Sequence, residues 1–288
     1  MKNVALFESI RKPEALEYLK LSAKLLNSLG CSVIIDPKVT IDLDINEFGF
    51  INSLPTEEFG KIADLVISFG GDGTMLSAAR QLIDSQVPIM GVNVGRLGFL
   101  AEYSVEDLES TIKDYVNGNY RLVERSVIET YINDERVFAL NDIVLEKKGS
   151  SKLITVKAYS NGNHIGDYRA DGLIVCTPTG STAYSLSCGG PILSPSTQVL
   201  CLTPISPHTL TLRPLVLPDT IELTLIVNSS TGMVNFVCDG QVEYTIADGT
   251  SITIKKSESR IKLIKPLGSS YYDLLKAKLL WATDGSKK

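Results

Sequence analysis

A strand that runs directly into a glycine-rich loop and a helix is the feature that most constrains this fold. The apolar run Leu65–Phe69 ends at Gly70 and Gly71, and helical spacing follows from about Thr74 to Ser85. A short apolar run that enters a turn is typical of a strand buried in a parallel sheet. The order of strand, loop and helix therefore predicts a βα unit.

Similar units recur through the first 120 residues. The other elements predicted there are strands at 4–7, 32–35 and 87–92, a helix from Pro13 to Gly30, and a helix that begins at a capping box of Ser104 and Asp107. Repeated βα units predict a Rossmann-like α/β domain over residues 1–120, with a parallel sheet covered by helices.

After about Tyr120 the helical spacing gives way to short alternating runs. Two-residue hairpin turns are predicted at Asn133-Asp134 and Asn161-Gly162. Strands are predicted at 143–146, 156–159, 173–176, 221–227, 234–237, 252–254 and 261–264. This pattern predicts a mainly antiparallel, β-sandwich-like domain over residues 121–268. Helical spacing returns after it and predicts a C-terminal helix within 269–288, whose docking on the first domain the spacing leaves open.

The overall composition limits the classes of function. Hydrophobic residues make up 44% and charged residues 21% of the 288 residues, which is enough to bury a core. The net charge is −5 and the basic residues are scattered, whereas nucleic-acid binding needs clustered Lys and Arg. We therefore expect no nucleic-acid partner, and we expect local groups to attract any anionic ligand.

The cysteines and the apolar segments predict the compartment. The five cysteines form no C-x-x-C pair and lie mostly in apolar runs, as buried thiols do in a reducing compartment. No apolar stretch is long enough to cross a bilayer, and the first one is too short for a secretory signal. We expect a cytoplasmic protein that has neither a membrane partner nor a zinc site.

The loop Gly70-Gly71-Asp72-Gly73-Thr74 combines two opposite electrostatic tendencies. Its glycines and the following helix start favour phosphate, while the Asp72 carboxylate repels it. The conflict is resolved if Asp72 binds Mg²⁺ or accepts a proton from a hydroxyl that attacks phosphorus. The alternative is a purely structural helix entry. The absence of a Walker A loop and of a G-x-G-x-x-G fingerprint argues against P-loop enzymes and ordinary dehydrogenases.

Polar residues in the second half suggest a nucleotide site. Asn141-Asp142 and Asp171-Gly172 each precede a predicted strand, and residues 177–192 gather hydroxyls and glycines around Tyr184. A loop so rich in small polar groups suits a sugar or a purine. Taken alone, Asn141-Asp142 is also typical of a strand-entry turn and Tyr184 of an ordinary core or surface aromatic.

Together these motifs resemble the NAD kinase family. The matching segments are, in chain order, 70–74, 93–100, Asn141-Asp142, 171–192, Pro207-His208, 213–218 and 239–241. The resemblance covers most of the chain. It departs from the family at Cys188, where a smaller residue is common, and at Thr211-Leu212, where a more polar pair is common.

The resemblance implies a role for individual residues. Asp72 is implied as the proton acceptor, with Gly73 beside the dinucleotide, and Arg169 as a group that faces phosphate. The residues implied in nucleotide binding are Asp72, Gly73, Asn141, Asp142, Lys152, Arg169, Asp171, Thr182, Ala183, Tyr184, Ser185, Leu186, Ser187 and Gln241. Among these, Asn141 and Asp142 are implied to hold adenosine, and Tyr184 to lie against a base.

The implied reaction moves the γ-phosphoryl group of ATP to the 2′-hydroxyl of the adenosine ribose of NAD, which yields NADP and ADP. The resemblance also implies Mg²⁺, with Asp72 as its one candidate ligand, and a homo-oligomer, either a dimer or a tetramer. Two alternatives remain: another kinase with a Gly-Gly-Asp-Gly loop, such as a lipid kinase, and an NAD-binding regulator that has lost catalysis. Residues 177–192 argue against the first, and Asp72 argues against the second.

Overall fold

The computed structural model describes residues 1–8, 13–40, 43–95, 97–149 and 152–281. The chain divides into two compact units, Met1–Glu124 with Ile261–Lys288, and Arg125–Arg260. Within the described residues, no helix has the length and apolar character needed to cross a membrane.

The first unit alternates strands and helices. In chain order these are β1 Asn3–Phe7, α1 Pro13–Ser28, β2 Ser32–Ile35, α2 Pro37–Thr40, α3 Ile45–Phe48, β3 Asn52–Ser53, α4 Thr56–Ile62, β4 Leu65–Phe69, α5 Asp72–Leu82, β5 Ile89–Asn93, β6 Tyr103–Ser104 and α6 Leu108–Asn117. The strands pair in parallel in the order β5, β4, β1, β2, β3, and β1, β4 and β5 are almost wholly buried. The predicted α/β domain is confirmed.

The remaining elements are mostly strands. They are β7 Arg121–Ile132, β8 Glu135–Ala139, β9 Asp142–Lys147, β10 Ile154–Ser160, β11 Asn163–Ala170, β12 Gly172–Cys176, α7 Tyr184–Ser187, β13 Val199–Ile205, β14 Leu215–Pro218, β15 Leu223–Asn228, β16 Met233–Cys238, β17 Val242–Ala247, β18 Ser251–Lys265 and α8 Tyr271–Leu279. A 3₁₀ turn at Thr179–Thr182 precedes α7.

The second unit buries its core between two antiparallel sheets. One sheet has the order β14, β13, β12, β9, β16, β17, and the other contains β11, β10, β15 and β18 in that order. Leu145 and Phe236 from the first sheet share one buried cluster with Val156 and Leu225 from the second. Alternate residues of each strand supply this cluster, as expected for a sandwich. The predicted antiparallel β domain is confirmed.

Both predicted hairpin turns are confirmed. Asn133 and Asp134 join β7 to β8 with φ values of 51° and 64°, and Asn161 and Gly162 join β10 to β11 with 47° and 81°. Positive φ at both central residues defines the turn type that suits twisted antiparallel strands. Asn, Asp and Gly tolerate that conformation best.

One local prediction is wrong and another is incomplete. The capping box does not form, because the Ser104 hydroxyl accepts the backbone N–H of Glu106 and no side chain caps α6. The strands predicted at 252–254 and 261–264 are one continuous strand, β18. Polar residues interrupt the apolar pattern between them, yet Ser257 is buried and donates to Glu129 at 2.8 Å.

The C-terminal helix α8 docks on the first unit. It begins after Ser270, whose hydroxyl accepts the backbone N–H of Asp273. The rings of Tyr271 and Phe99 lie 6.4 Å apart, and the Lys278 ammonium donates to the carbonyl of Leu97. Residues 282–288 of the predicted C-terminal segment lie outside the described residues.

Candidate active site

Asp72 is the first residue of α5 and follows β4 by two glycines. Its Oδ2 accepts the backbone N–H of Phe99 at 2.9 Å, and its Oδ1 accepts those of Leu100 and Ala101 at 2.9 and 3.1 Å. A carboxylate has about four acceptor positions. These hydrogen bonds therefore leave Oδ2 one position for a further donor.

Gly98 lets the Asp72 carboxylate lie against the backbone. A Cβ at position 98 would lie 1.9 Å from Oδ1 of Asp72, so any other residue there would force the carboxylate to move. The carboxylate and the loop 98–101 therefore fix each other. Gly73 is the other implicated residue of the glycine-rich loop 70–74. It is exposed at the start of α5.

The second unit contains a cavity of about 340 Å³ at the start of β9. Its lining includes four of the residues implicated by sequence, Asn141, Asp142, Ala183 and Tyr184. The other lining residues are Val144, Glu146, Val237, Asp239 and Gly240. The size and the mixture of apolar walls with a few polar groups are typical of a small-molecule site.

Asp239 holds the Asn141-Asp142 segment in place. Its Oδ2 accepts the backbone N–H of Leu140 at 2.9 Å, and its Oδ1 accepts those of Asn141 and Asp142 at 2.7 and 3.1 Å. As at Asp72, one carboxylate accepts hydrogen bonds from three consecutive backbone N–H groups. Asp239 lies in the matching segment 239–241, but the resemblance implied no role for it, although the Asp-Gly pair directly after β16 was a usable signal.

Asp142 is a buried carboxyl group in the wall of this cavity, with 4% of its surface exposed. Burial, and then the nearby Asp239 carboxylate, raise the pKa of Asp142 to about 7. Near neutral pH, Asp142 is therefore present both as a hydrogen-bond donor and as a charged acceptor.

The polar loop packs closely on Asn141. The backbone N–H of Thr177 donates to the Asn141 carbonyl at 2.9 Å, and a Cβ at Gly180 would lie 2.1 Å from that same oxygen. Only glycine fits there. Tyr184 remains 41% exposed at the cavity, whereas Ser185 is buried and hydrogen-bonds Thr203.

The other implicated residues lie outside the cavity lining. Asp171 pairs with Lys147 of β9 at 2.5 Å, and Arg169 is exposed near the end of β11. The residues Thr182, Leu186, Ser187, Lys152 and Gln241 are exposed or half-buried and line no part of it. Among the described residues, no group of three or more His, Cys, Asp or Glu side chains is placed to hold a metal ion.

Two family matches cover most of the chain. Residues 4–120 match the ATP-NAD kinase N-terminal domain, and residues 140–266 match the ATP-NAD kinase C-terminal domain.

Similar proteins share the sequence and the fold. An NAD kinase of Bacteroides fragilis is 43% identical over 226 residues, which cover 77% of this chain and 78% of that protein. An NAD kinase of Chlorobium phaeobacteroides is 37% identical over 280 residues, 96% of each protein. Yeast NADH kinase complexed with NADH superimposes with a TM-score of 0.89 at 25% identity, and covers 100% of this chain and 90% of its own. An Archaeoglobus fulgidus NAD kinase in complex with ATP superimposes with a TM-score of 0.77 at 27% identity, and covers 96% of this chain and 98% of its own.

Proposed function

The chain belongs to the NAD kinase family, and we propose that it transfers the γ-phosphoryl group of ATP to the 2′-hydroxyl of the adenosine ribose of NAD. The products are NADP and ADP. The single observation that carries this proposal is the Asp72 carboxylate, fixed by the amides of loop 98–101 with one acceptor position left on Oδ2. A fixed acceptor of this kind suits a hydroxyl that must lose its proton as it attacks phosphorus.

In this proposal different residues bind the adenosine and accept the proton. The cavity of the second unit holds the adenosine, with Asn141 and Asp142 toward the base and Tyr184 against its face. Asp72 accepts the proton of the attacking 2′-hydroxyl. Catalysis is then mostly a matter of positioning the hydroxyl and of neutralising charge on the transferred group.

Mg²⁺ enters the proposal with the nucleotide. The described residues offer no carboxylate cage, which fits a metal held mainly by the phosphates of the nucleotide, with Asp72 as its one candidate protein ligand. When bound, the ion neutralises the charge of the phosphate groups. The cytoplasmic location and the homo-oligomer remain part of the proposal, and the mass of the purified protein in solution tests the second.

The experiment that tests the function uses a substrate without its nucleophile. NAD that lacks the adenosine 2′-hydroxyl should bind and compete with NAD, yet gain no phosphate, because its other contacts persist. The matched control lacks the 2′-hydroxyl of the nicotinamide ribose and should be phosphorylated. Product analysis by mass spectrometry and NMR, with ATP and Mg²⁺ each omitted in turn, gives the answer. Phosphate on any other hydroxyl, or transfer to a lipid in its place, rejects the proposal.

Arg169 is the residue that we propose to contact a phosphate of the ligand. It is exposed on β11, and among the described residues its side chain forms no ion pair. Arg169→Ala should weaken nucleotide binding by about 1.5 to 3 kcal/mol, the range for a charge-assisted hydrogen bond. Calorimetry on the variant measures this loss. Lys148→Ala is the matched control, since it removes an exposed charge of the same unit; equal affinities for both variants would remove Arg169 from the site.

A further inference from the structure

We propose that the buried ion pair of Lys265 and Glu102 is a positioning device for Asp72. The inference rests on the proposed role of Asp72 as proton acceptor. Lys265 is the last residue of β18 and is only 2% exposed, although lysine is almost never fully buried unless it is paired. Its ammonium lies 2.6 Å from Oε1 of Glu102, whose side chain is 7% exposed.

Lys265 also holds the loop that fixes Asp72. Its ammonium donates to the carbonyl of Leu100 at 2.8 Å and to that of Phe99 at 3.4 Å. An ammonium has three N–H donors, which is enough for the carboxylate and these two carbonyls.

The same peptide groups connect Lys265 to Asp72. The group between Phe99 and Leu100 gives its carbonyl to Lys265 and its N–H to Asp72, and so does the group between Leu100 and Ala101. In a trans peptide the C=O and the N–H point in opposite directions. Lys265 and Asp72 therefore hold these two peptide planes from opposite sides, and the charge on each end polarises the amides between them.

Glu102 has an anchor of its own in the segment that follows β18. The Ser269 hydroxyl donates to Oε2 of Glu102 at 3.0 Å. The guanidinium of Arg121 donates to the Ser269 carbonyl at 2.5 Å and to the Pro266 carbonyl at 3.1 Å. The ion pair is thus fixed at both charges, and its position is transmitted to loop 98–101.

Stability alone does not account for this pair. Desolvation of two charges offsets much of their attraction, and apolar side chains of similar volume often replace a buried pair without loss of stability. The structure offers another use, since the Lys265 ammonium reaches both carbonyls of the loop from the end of β18.

The test is the double variant Lys265→Met with Glu102→Leu, which removes both charges and fills the space. We expect a cooperative unfolding transition, a KM for NAD within about twofold of the native value, and a kcat lower by about 10 to 100-fold, since small displacements of a reacting group have effects of this size. We also expect faster hydrogen exchange in peptides that span residues 97–103. The matched control, Lys113→Met with Glu109→Leu, removes an exposed pair on α6 and should change none of these quantities.

One result overturns the proposal: an unchanged kcat in the folded double variant, whether or not KM is raised. If the double variant does not fold, Ser269→Ala decides, because it removes one hydrogen bond to Glu102 and leaves both charges. Ser269→Ala should lower kcat by about threefold and show the same faster hydrogen exchange at residues 97–103. A native kcat and native exchange in this variant would reject the proposal. A native protein without NAD kinase activity would refute the proposed function instead, and the exchange data would still test the loop.

Discussion

Asp72→Asn is expected to lower kcat by about 10² to 10⁴-fold while the affinity for NAD stays within a few fold. The amide keeps the shape of the side chain and removes its basicity, and general-base catalysis is typically worth this factor. Steady-state kinetics and NAD binding on one preparation of each protein measure both quantities. A variant that turns over at nearly the native rate would falsify the role of Asp72 as acceptor.

Asp72→Asn should also lower the stability of the protein, because three backbone N–H groups donate to the Asp72 carboxylate. An Asn side chain presents an NH₂ group to backbone N–H donors, so at least one hydrogen bond is lost, which costs about 1 to 3 kcal/mol. The matched control is Asp36→Asn. The Asp36 carboxylate likewise accepts backbone N–H groups, from Lys38 and Thr56, in the same unit. The control should lose a comparable amount of stability and keep its kcat, which separates the chemistry of Asp72 from its part in the fold.

Asp142→Asn is expected to change how the stability of the protein depends on pH. The pKa of Asp142 is about 7 in the folded protein, against an ordinary value of 3.8. Between these two values the folded state holds a proton that the unfolded state has lost. The contribution of Asp142 to the free energy of unfolding is therefore fully present below about pH 4 and declines as the pH rises toward 7. At about 1.4 kcal/mol per pKa unit, the decline amounts to at most about 4 kcal/mol.

The Asn variant lacks this titration. Its free energy of unfolding should therefore rise relative to that of the native protein as the pH increases from 4 to 7. Urea unfolding at several pH values in this interval measures the difference. Asp134→Asn is the control, because Asp134 is exposed in the hairpin turn after β7 and Asn suits the same positive φ. Parallel stability curves for the native protein and Asp142→Asn would show that burial does not shift this carboxyl group as described.

Several features of this protein follow from the sequence alone. The parallel sheet follows from apolar runs such as Leu65–Phe69, and the hairpins follow from Asn133-Asp134 and Asn161-Gly162. The position of Asp72 between a buried strand and a helix was also predictable. All of these depend on neighbours within a few residues, where side-chain spacing and the allowed φ values leave a readable pattern.

Other features depend on the tertiary structure. Asp72 accepts the backbone N–H groups of residues 27 to 29 positions later, and Asp239 accepts those of a segment almost 100 positions earlier. Lys265 donates to the carbonyl of Leu100 across 165 positions. The burial that raises the pKa of Asp142 is likewise produced by strands that are distant in sequence. Such contacts leave no periodic pattern in the chain. They form only when packing brings the strands and loops together, because a buried charge then needs partners from whichever segments lie beside it.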